Sequence, residues 1–280
     1  MNDVAGLSRG APATLAVVRV VTALMWIQNA GWKTPADGFG QTSPPRGLYL
    51  FTSYAVEYPV LAPYAWLVEN LVLPNFTFFG WAVLLVEAGL GAFLLVGLWT
   101  RLWALIGIGQ TLAITLSVLN TPNEWHWAYF LMILVHLTLI ATAAGRFYGA
   151  DGLRDPAPAA GWGPDRFAFA LGVASVVSAV FVFTTGDWRF VEMTAASSVV
   201  AMALGVVTLV AARLARPPLL LAAGGLFLLA ALVLLAELAF GFSLTGGTAS
   251  VFSLWLGLGV GLVAAGRRSP VRTSEPSKAG

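Results

Sequence analysis

Three ionisable residues lie inside stretches otherwise too apolar to hold charge: Arg19, Glu87 and His136. Taking such a group out of water is costly, so each marks a paired structural contact or a place where protons are handled. At ~1.5 Å per helical residue, Arg19 lies ~12 Å into its stretch, Glu87 ~16 Å and His136 ~14 Å from the opposite ends of theirs. Opposite charges at overlapping depths predict a buried Arg19–Glu87 pair, because an unpaired charge there is worse than a paired one. Gly80 and Gly91, at i−7 and i+4, share the face of Glu87 and admit a neighbouring helix, so this carboxylate is expected to face protein. The pair reads either as a structural ion pair or as a proton-handling, quinone-head-group site. His136 reads either as an interhelical hydrogen bond or as a proton relay or quinone ligand, since imidazole titrates near neutral pH. Gln110, Thr111, Thr115 and Ser117 form a polar stripe within reach of that network, which interhelical hydrogen bonding also explains.

A second group lies in the loops. Glu124, Trp125 and His126 sit in the run Asn120-Thr-Pro-Asn-Glu-Trp-His-Trp127, and Lys33, Glu57, Tyr58 and Glu69 precede it in the chain. Two Trp beside a carboxylate and an imidazole fit an interfacial aromatic belt. The same residues could bind a ring-shaped head group and pass protons, so Lys33, Glu57, Glu124, Trp125 and His126 are candidate binding residues. Other chemistries are excluded. There is no Cys, hence no thiolate-bound iron–sulfur cluster, covalent haem or persulfide route. The two His are ten residues apart in the chain, which on a helix means ~15 Å and ~80° of rotation, so they cannot clamp one haem. Glu124 and His126 are too few for a metal site. The chain has no P-loop, no glycine fingerprint behind a strand and no nucleophile elbow, and Gly257, Gly259 and Gly261 fall in an apolar stretch where they mean packing.

The elements that must position these residues are membrane helices. Apolar residues make up 58% of the 280 positions and charged ones 10%, against ~25% charged in a soluble domain. Only helices satisfy their own backbone in lipid without closing a barrel, and the fold expected is an all-α polytopic bundle of eight spans at about 11–33, 76–99, 101–119, 128–144, 167–185, 195–215, 219–241 and 250–266. The first is too long for a signal-peptide core and lacks a cleavage site, so it is expected to be retained. With the N-terminus inside, Arg9, Arg101, Arg146, Arg154, Arg166, Arg213, Arg216, Arg267, Arg268, Arg272 and Lys278 fall on the inner side and only Lys33, Arg46 and Arg189 on the outer. The positive-inside rule then predicts a cytoplasmic-membrane protein with both termini cytoplasmic.

Two segments break the run of short loops. Residues 34–75 lie outside and are rich in Pro, Tyr and Trp; they are too apolar for a solvated loop and predict short interfacial helices. Residues 156–166 read as a cytoplasmic linker between a four-helix unit (1–155) and a second one (167–266), and 267–280 as a basic cytoplasmic tail.

The first unit resembles the DoxX/DoxD family over residues 11–155. The matching pieces are R-x-x-x-A-x-x-W from Arg19, N-A-G-W-K-T-P (29–35), F-T-S-Y-A-V-E-Y-P (51–59), V-E-A-G-L-G-A-F-L-L-V-G-L-W-T-R (86–101), S-V-L-N-T-P-N-E-W-H-W (117–127) and A-G-R-F-Y-G-A-D-G-L (144–153). The long outer loop and the N-E-W-H-W segment resemble the DoxD branch, the membrane subunit of thiosulfate:quinone oxidoreductase. The resemblance implies electron transfer from thiosulfate at the outer face to membrane quinone, giving tetrathionate, beside a second subunit, DoxA. No DoxA-like stretch is present, and residues 167–266 resemble nothing nameable.

The expected function is therefore a membrane subunit of a quinone-linked oxidoreductase, with quinone as electron acceptor at Arg19, Glu87 and His136. If the chain is itself the enzyme, it is a quinone-dependent oxidoreductase of the thiosulfate dehydrogenase type. No electron carrier is encoded, so electrons come from the substrate or from a second redox subunit or soluble oxidoreductase. The alternative is a non-enzymatic scaffold that docks a soluble redox enzyme. The expected surroundings are the bilayer and no nucleic acid, and a homo-oligomer is compatible with the sequence. Transport fits less well, because the embedded charges cluster in one half without inverted repeats.

Overall fold

The computed structural model describes residues 10–154 and 162–268. Residues 156–161 of the expected linker and 269–280 of the expected tail lie outside the described residues, as do Arg9, Arg272 and Lys278.

The described residues are helical throughout, without a strand. Residues 10–154 contain α1 (Ala11–Gly31), α2 (Gly47–Glu57), α3 (Ala62–Leu67), α4 (Phe76–Val96), α5 (Thr100–Val118) and α6 (His126–Thr142). Residues 162–268 contain α7 (Pro164–Ser178), α8 (Ala195–Arg213), α9 (Pro217–Phe240) and α10 (Ala249–Gly266). Seven helical stretches are long and apolar enough to cross a membrane, and α6 is an apolar helix of 17 residues. At ~1.5 Å per residue α6 extends ~26 Å, slightly less than a ~30 Å hydrocarbon layer. The observed helices start and stop within a few residues of the expected spans except at α7. There Ser178 ends the α-helix and a 3₁₀ turn, Ala179–Phe183, carries the chain on.

Helix ends follow local chemistry. Proline occupies the first turn of α1, α3, α7 and α9, where no intrahelical N–H is needed. Thr194 and Ser197 form a capping box on α8. Gly97 closes α4 with φ +66°, and an added Cβ there would press on the Arg19 guanidinium.

α10 packs against α9 and α7 as well as against α4 and α1. Small residues allow the close approach. A Cβ on Gly257 would lie 2.8 Å from the Ala92 carbonyl oxygen, and Ser253 Oγ donates to the Ala88 carbonyl at 2.7 Å. Trp255 is fully buried, and residues of 10–154 and of 162–268 share one apolar core.

The long segment 34–75 folds as expected into short helical pieces. After a 3₁₀ turn at Pro35–Asp37 come α2 and α3, a π turn at Val68–Val72 and a 3₁₀ turn at Leu73–Asn75 that feeds α4. Asp37 fastens the start of the loop by accepting from Thr34 Oγ1, Gly40 N and the Arg46 guanidinium. Phe39 is buried edge-on against Trp81, beside Gly80. Tyr49 packs edge-on to Phe76 and Phe51 to Trp32. These contacts hold α2 over the end of α1.

Candidate functional site

Packing between α1 and α4 sets the relative depth of Arg19, Lys33 and Glu87. Gly91 abuts the backbone of Ile27, so Gly31, one turn further along α1, is level with Glu87. α1 stops there, whereas α4 continues toward its own start at Phe76, ~16 Å beyond Glu87. The space left by the short helix is roofed by α2 and the loop, and it forms a cavity of about 340 Å³.

The floor of this cavity is a charged pair. Lys33 folds back along the last turn of α1, donates from Nζ to the Asn29 carbonyl at 2.6 Å and forms a salt bridge with Glu87 Oε2. Both side chains are 1% exposed, which makes the pair a fully desolvated one. Glu87 Oε1 accepts from Gln110 Nε2 at 3.0 Å, and Lys33 Nζ lies 4.0 Å from the centre of the Trp32 ring. Leu48, Phe51, Val72, Phe79, Val83 and Ile114 supply apolar walls. Tyr64 OH of α3 meets Ser117 Oγ of α5 at 3.0 Å. At the long-loop end Glu124 accepts from Tyr129 OH, and both residues line the cavity. The result is an apolar chamber with an acid, an ammonium and an amide at one end and a second acid at the other.

The expected Arg19–Glu87 pair does not form. The Arg19 guanidinium lies against Gly97 at the end of α4, ten residues from Glu87, or ~15 Å along the axis. Side chains on a helix lean toward its N-terminus. That lean carries the Arg19 charge away from Glu87 and carries the Lys33 ammonium toward it. Arg19 instead donates to the carbonyls of Ala144, Phe147 and Tyr148 at 3.0, 3.0 and 3.3 Å. It thus ties α1 to the turn after α6, while Asp151 in that turn accepts from the Trp99 and Thr100 amides at the start of α5.

His136 also lies apart from the cavity. Trp26 Nε1 donates to its Nε2 at 3.0 Å, and Nδ1 sits 2.7 Å from the Met132 carbonyl. A nitrogen that accepts from an indole and another that faces a carbonyl specify the neutral Nδ1–H tautomer. Gly107 leaves room for the ring.

Of the remaining candidates, Lys33 and Glu124 line the cavity, and Glu57, Trp125 and His126 do not. Lys33 is a buried group and not, as expected, a charge of the outer loop. Glu57 is exposed at the end of α2 and accepts from the Tyr58 hydroxyl, whose pKa rises through that bond and the adjacent carboxylate charge. Trp125 is 74% exposed and His126 is exposed at the start of α6. Sequence reasoning missed Tyr64, Tyr129 and Asn29. The signal available for Asn29 was its place four residues before Lys33, one helical turn. Among the described residues no three His, Cys, Asp or Glu side chains gather as metal ligands.

Fold and site together define a polytopic helical membrane protein with a buried acid–ammonium pair closing an apolar, aromatic-walled cavity lined by residues between Asn29 and Tyr129. Residues 14–155 match the family model described as TQO small subunit DoxD, and the chain belongs to that family, the small membrane subunit of thiosulfate:quinone oxidoreductase. No curated protein and no solved structure matches the chain.

Proposed function

We propose that this chain is the membrane subunit of a thiosulfate:quinone oxidoreductase and that the cavity above Glu87 receives the quinone head group. The observation that carries the reading is the dry Lys33–Glu87–Gln110 cluster at the closed end of a chamber with apolar walls, inside the part of the chain that belongs to the DoxD family. A quinone ring is a flat apolar body with two carbonyl oxygens, and it needs apolar walls and a few placed donors. Lys33 Nζ and the Gln110 amide supply donors, and the aromatic side chains supply the walls.

The reaction balances as two thiosulfate ions losing two electrons to form one tetrathionate, while quinone gains two electrons and two protons to form quinol. Lys33 gives its ammonium proton to the quinone, and Glu124 with Tyr129 at the mouth supplies the second proton, which Glu87 takes up and passes on. In this reading Lys33 takes the place first given to His136, and Arg19 and His136 hold the bundle. The bias of basic residues supports one orientation. Arg101, Arg146, Arg154, Arg166, Arg213, Arg216, Arg267 and Arg268 lie on the side opposite the long loop and only Arg46 and Arg189 on the long-loop side. The long loop then faces outward from the cytoplasmic membrane and both termini face the cytoplasm. The exposed aromatic rim with Glu57, Trp125 and His126 is the face for the thiosulfate-oxidising partner subunit.

The test is quinone reduction by thiosulfate in the purified complex with a short-chain quinone. Glu87→Gln and Lys33→Met are expected to lower the rate ~10²–10⁴-fold, the range for loss of a positioned proton donor, with His136→Phe close to wild type. Wild-type rates in both cavity variants would sink the assignment. No activity with any donor, alongside a co-purifying soluble oxidoreductase, would favour the scaffold reading.

A further inference from the structure

Residues 10–154 and 162–268 meet, on the side opposite the long loop, around a second cavity of about 560 Å³. Its apolar walls come from Phe93 and Leu98 at the end of α4, Leu228 of α9, and Val260 and Val263 of α10. Its rim carries Arg154, Arg267 and Arg268 around Trp99, and no carboxylate among the described residues lines it. The Arg154 guanidinium lies 5.8 Å from the centre of the half-exposed Trp99 ring. Asp151, the nearest described acid in the chain, is engaged by the amides of Trp99 and Thr100. Among the described residues none of the three arginines forms an ion pair.

The cavity also has depth. Leu228 is eleven residues beyond the start of α9 at Pro217, or ~16 Å into the apolar layer. Positive charge at the rim over an apolar cleft complements a molecule with an anionic head and a hydrocarbon tail. Arginine matches a phosphate diester better than any other side chain, through paired N–H donors. Basic pockets between membrane helices select acidic lipid head groups on this principle. A free phosphate would leave the apolar depth unfilled, and a zwitterionic lipid would bring its own cation into the arginine cluster. We propose that this cleft binds an anionic phospholipid, with its phosphate between Arg154, Arg267 and Arg268 and an acyl chain against Leu228 and Val260. The lipid would cement α4 of the DoxD unit to α9 and α10, the helices outside the family match.

The full-length protein is purified in mild detergent, and its retained lipids are identified by native mass spectrometry. Delipidated protein is then titrated with phosphatidylglycerol, phosphatidylcholine or inorganic phosphate while its thermal unfolding is followed. The expected result is selective retention of phosphatidylglycerol, and stabilisation by it alone. Arg154→Gln/Arg267→Gln/Arg268→Gln should weaken phosphatidylglycerol binding on the order of a hundredfold, from three surface cations lost. Val260→Trp, which fills the cleft and keeps the charges, should weaken it as well. Equal retention of the two lipids by the wild type, equal stabilisation by inorganic phosphate, or undiminished binding by the triple variant would overturn the proposal.

Discussion

Lys33 and Glu87 form a salt bridge inside the bundle although one residue follows the end of α1 and the other sits halfway along α4. The contact exists because α1 stops level with Glu87 and the lysine stem turns back over its last turn to reach Asn29 and the carboxylate. The consequence is a pair of charges enclosed by apolar walls and capped by a loop, open to change by single substitutions.

Breaking that pair should cost stability. Lys33→Met leaves a buried carboxylate without its cation, which costs about 3–5 kcal/mol, whereas Lys33→Met/Glu87→Gln removes both charges and should recover most of the loss. Chemical denaturation of the four proteins in detergent measures the coupling. Additive losses would mean that the two residues do not share a contact.

Arg19 is expected to behave as a tether. Arg19→Gln forfeits three guanidinium–carbonyl contacts to residues 144–148, each worth about 1.5–3 kcal/mol as a charged hydrogen bond. Hydrogen exchange should rise at 144–152 and little elsewhere, and the Michaelis constant for quinone should stay near wild type. A quinone-specific defect with unchanged exchange would place Arg19 in the site instead.

His136 should be replaceable if its partner is replaced too. His136→Phe leaves the Trp26 indole N–H buried without an acceptor, at about 1–3 kcal/mol. Trp26→Phe added to it should return much of that, because neither ring then needs a partner. Thermal unfolding reads both steps, and unaltered stability in the single variant would contradict the Trp26–His136 bond.

Gly80 guards the roof of the cavity. A Cβ there would overlap the buried Phe39 ring, so Gly80→Ala should cost about 1–3 kcal/mol by overpacking and loosen the loop 34–46. Limited proteolysis should cut that loop faster than in the wild type. An unchanged cleavage rate would show that Phe39 gives way without moving the loop.

The spans are legible in the sequence because twenty apolar residues have few alternatives to a helix in lipid, and the Pro and Gly punctuation marks their ends. Pairing was not. The expectation of an Arg19–Glu87 contact measures depth from each stretch's own end, as if all helices began and ended in one plane. The 42 residues of segment 34–75 break that assumption, since they let α1 end a full ~16 Å below the start of α4. Only packing contacts such as Gly91 on Ile27 fix the register. The same error places Lys33 among the outer-loop charges. Moving it indoors leaves Arg46 and Arg189 alone on the long-loop side, so the charge bias becomes stronger. Tyr64 and Tyr129 escape sequence reading because aromatic residues near the membrane interface carry no mark that separates a cavity wall from a membrane anchor.

The most direct test of the quinone site is photolabelling with an azido-quinone in the native membrane, with mass-spectrometric mapping of the adducts. Labels on cavity residues between Asn29 and Tyr129, competed away by unlabelled quinone and blocked by Thr52→Trp, are the predicted result. Labelling elsewhere in the chain, or labelling that excess quinone does not displace, would contradict it.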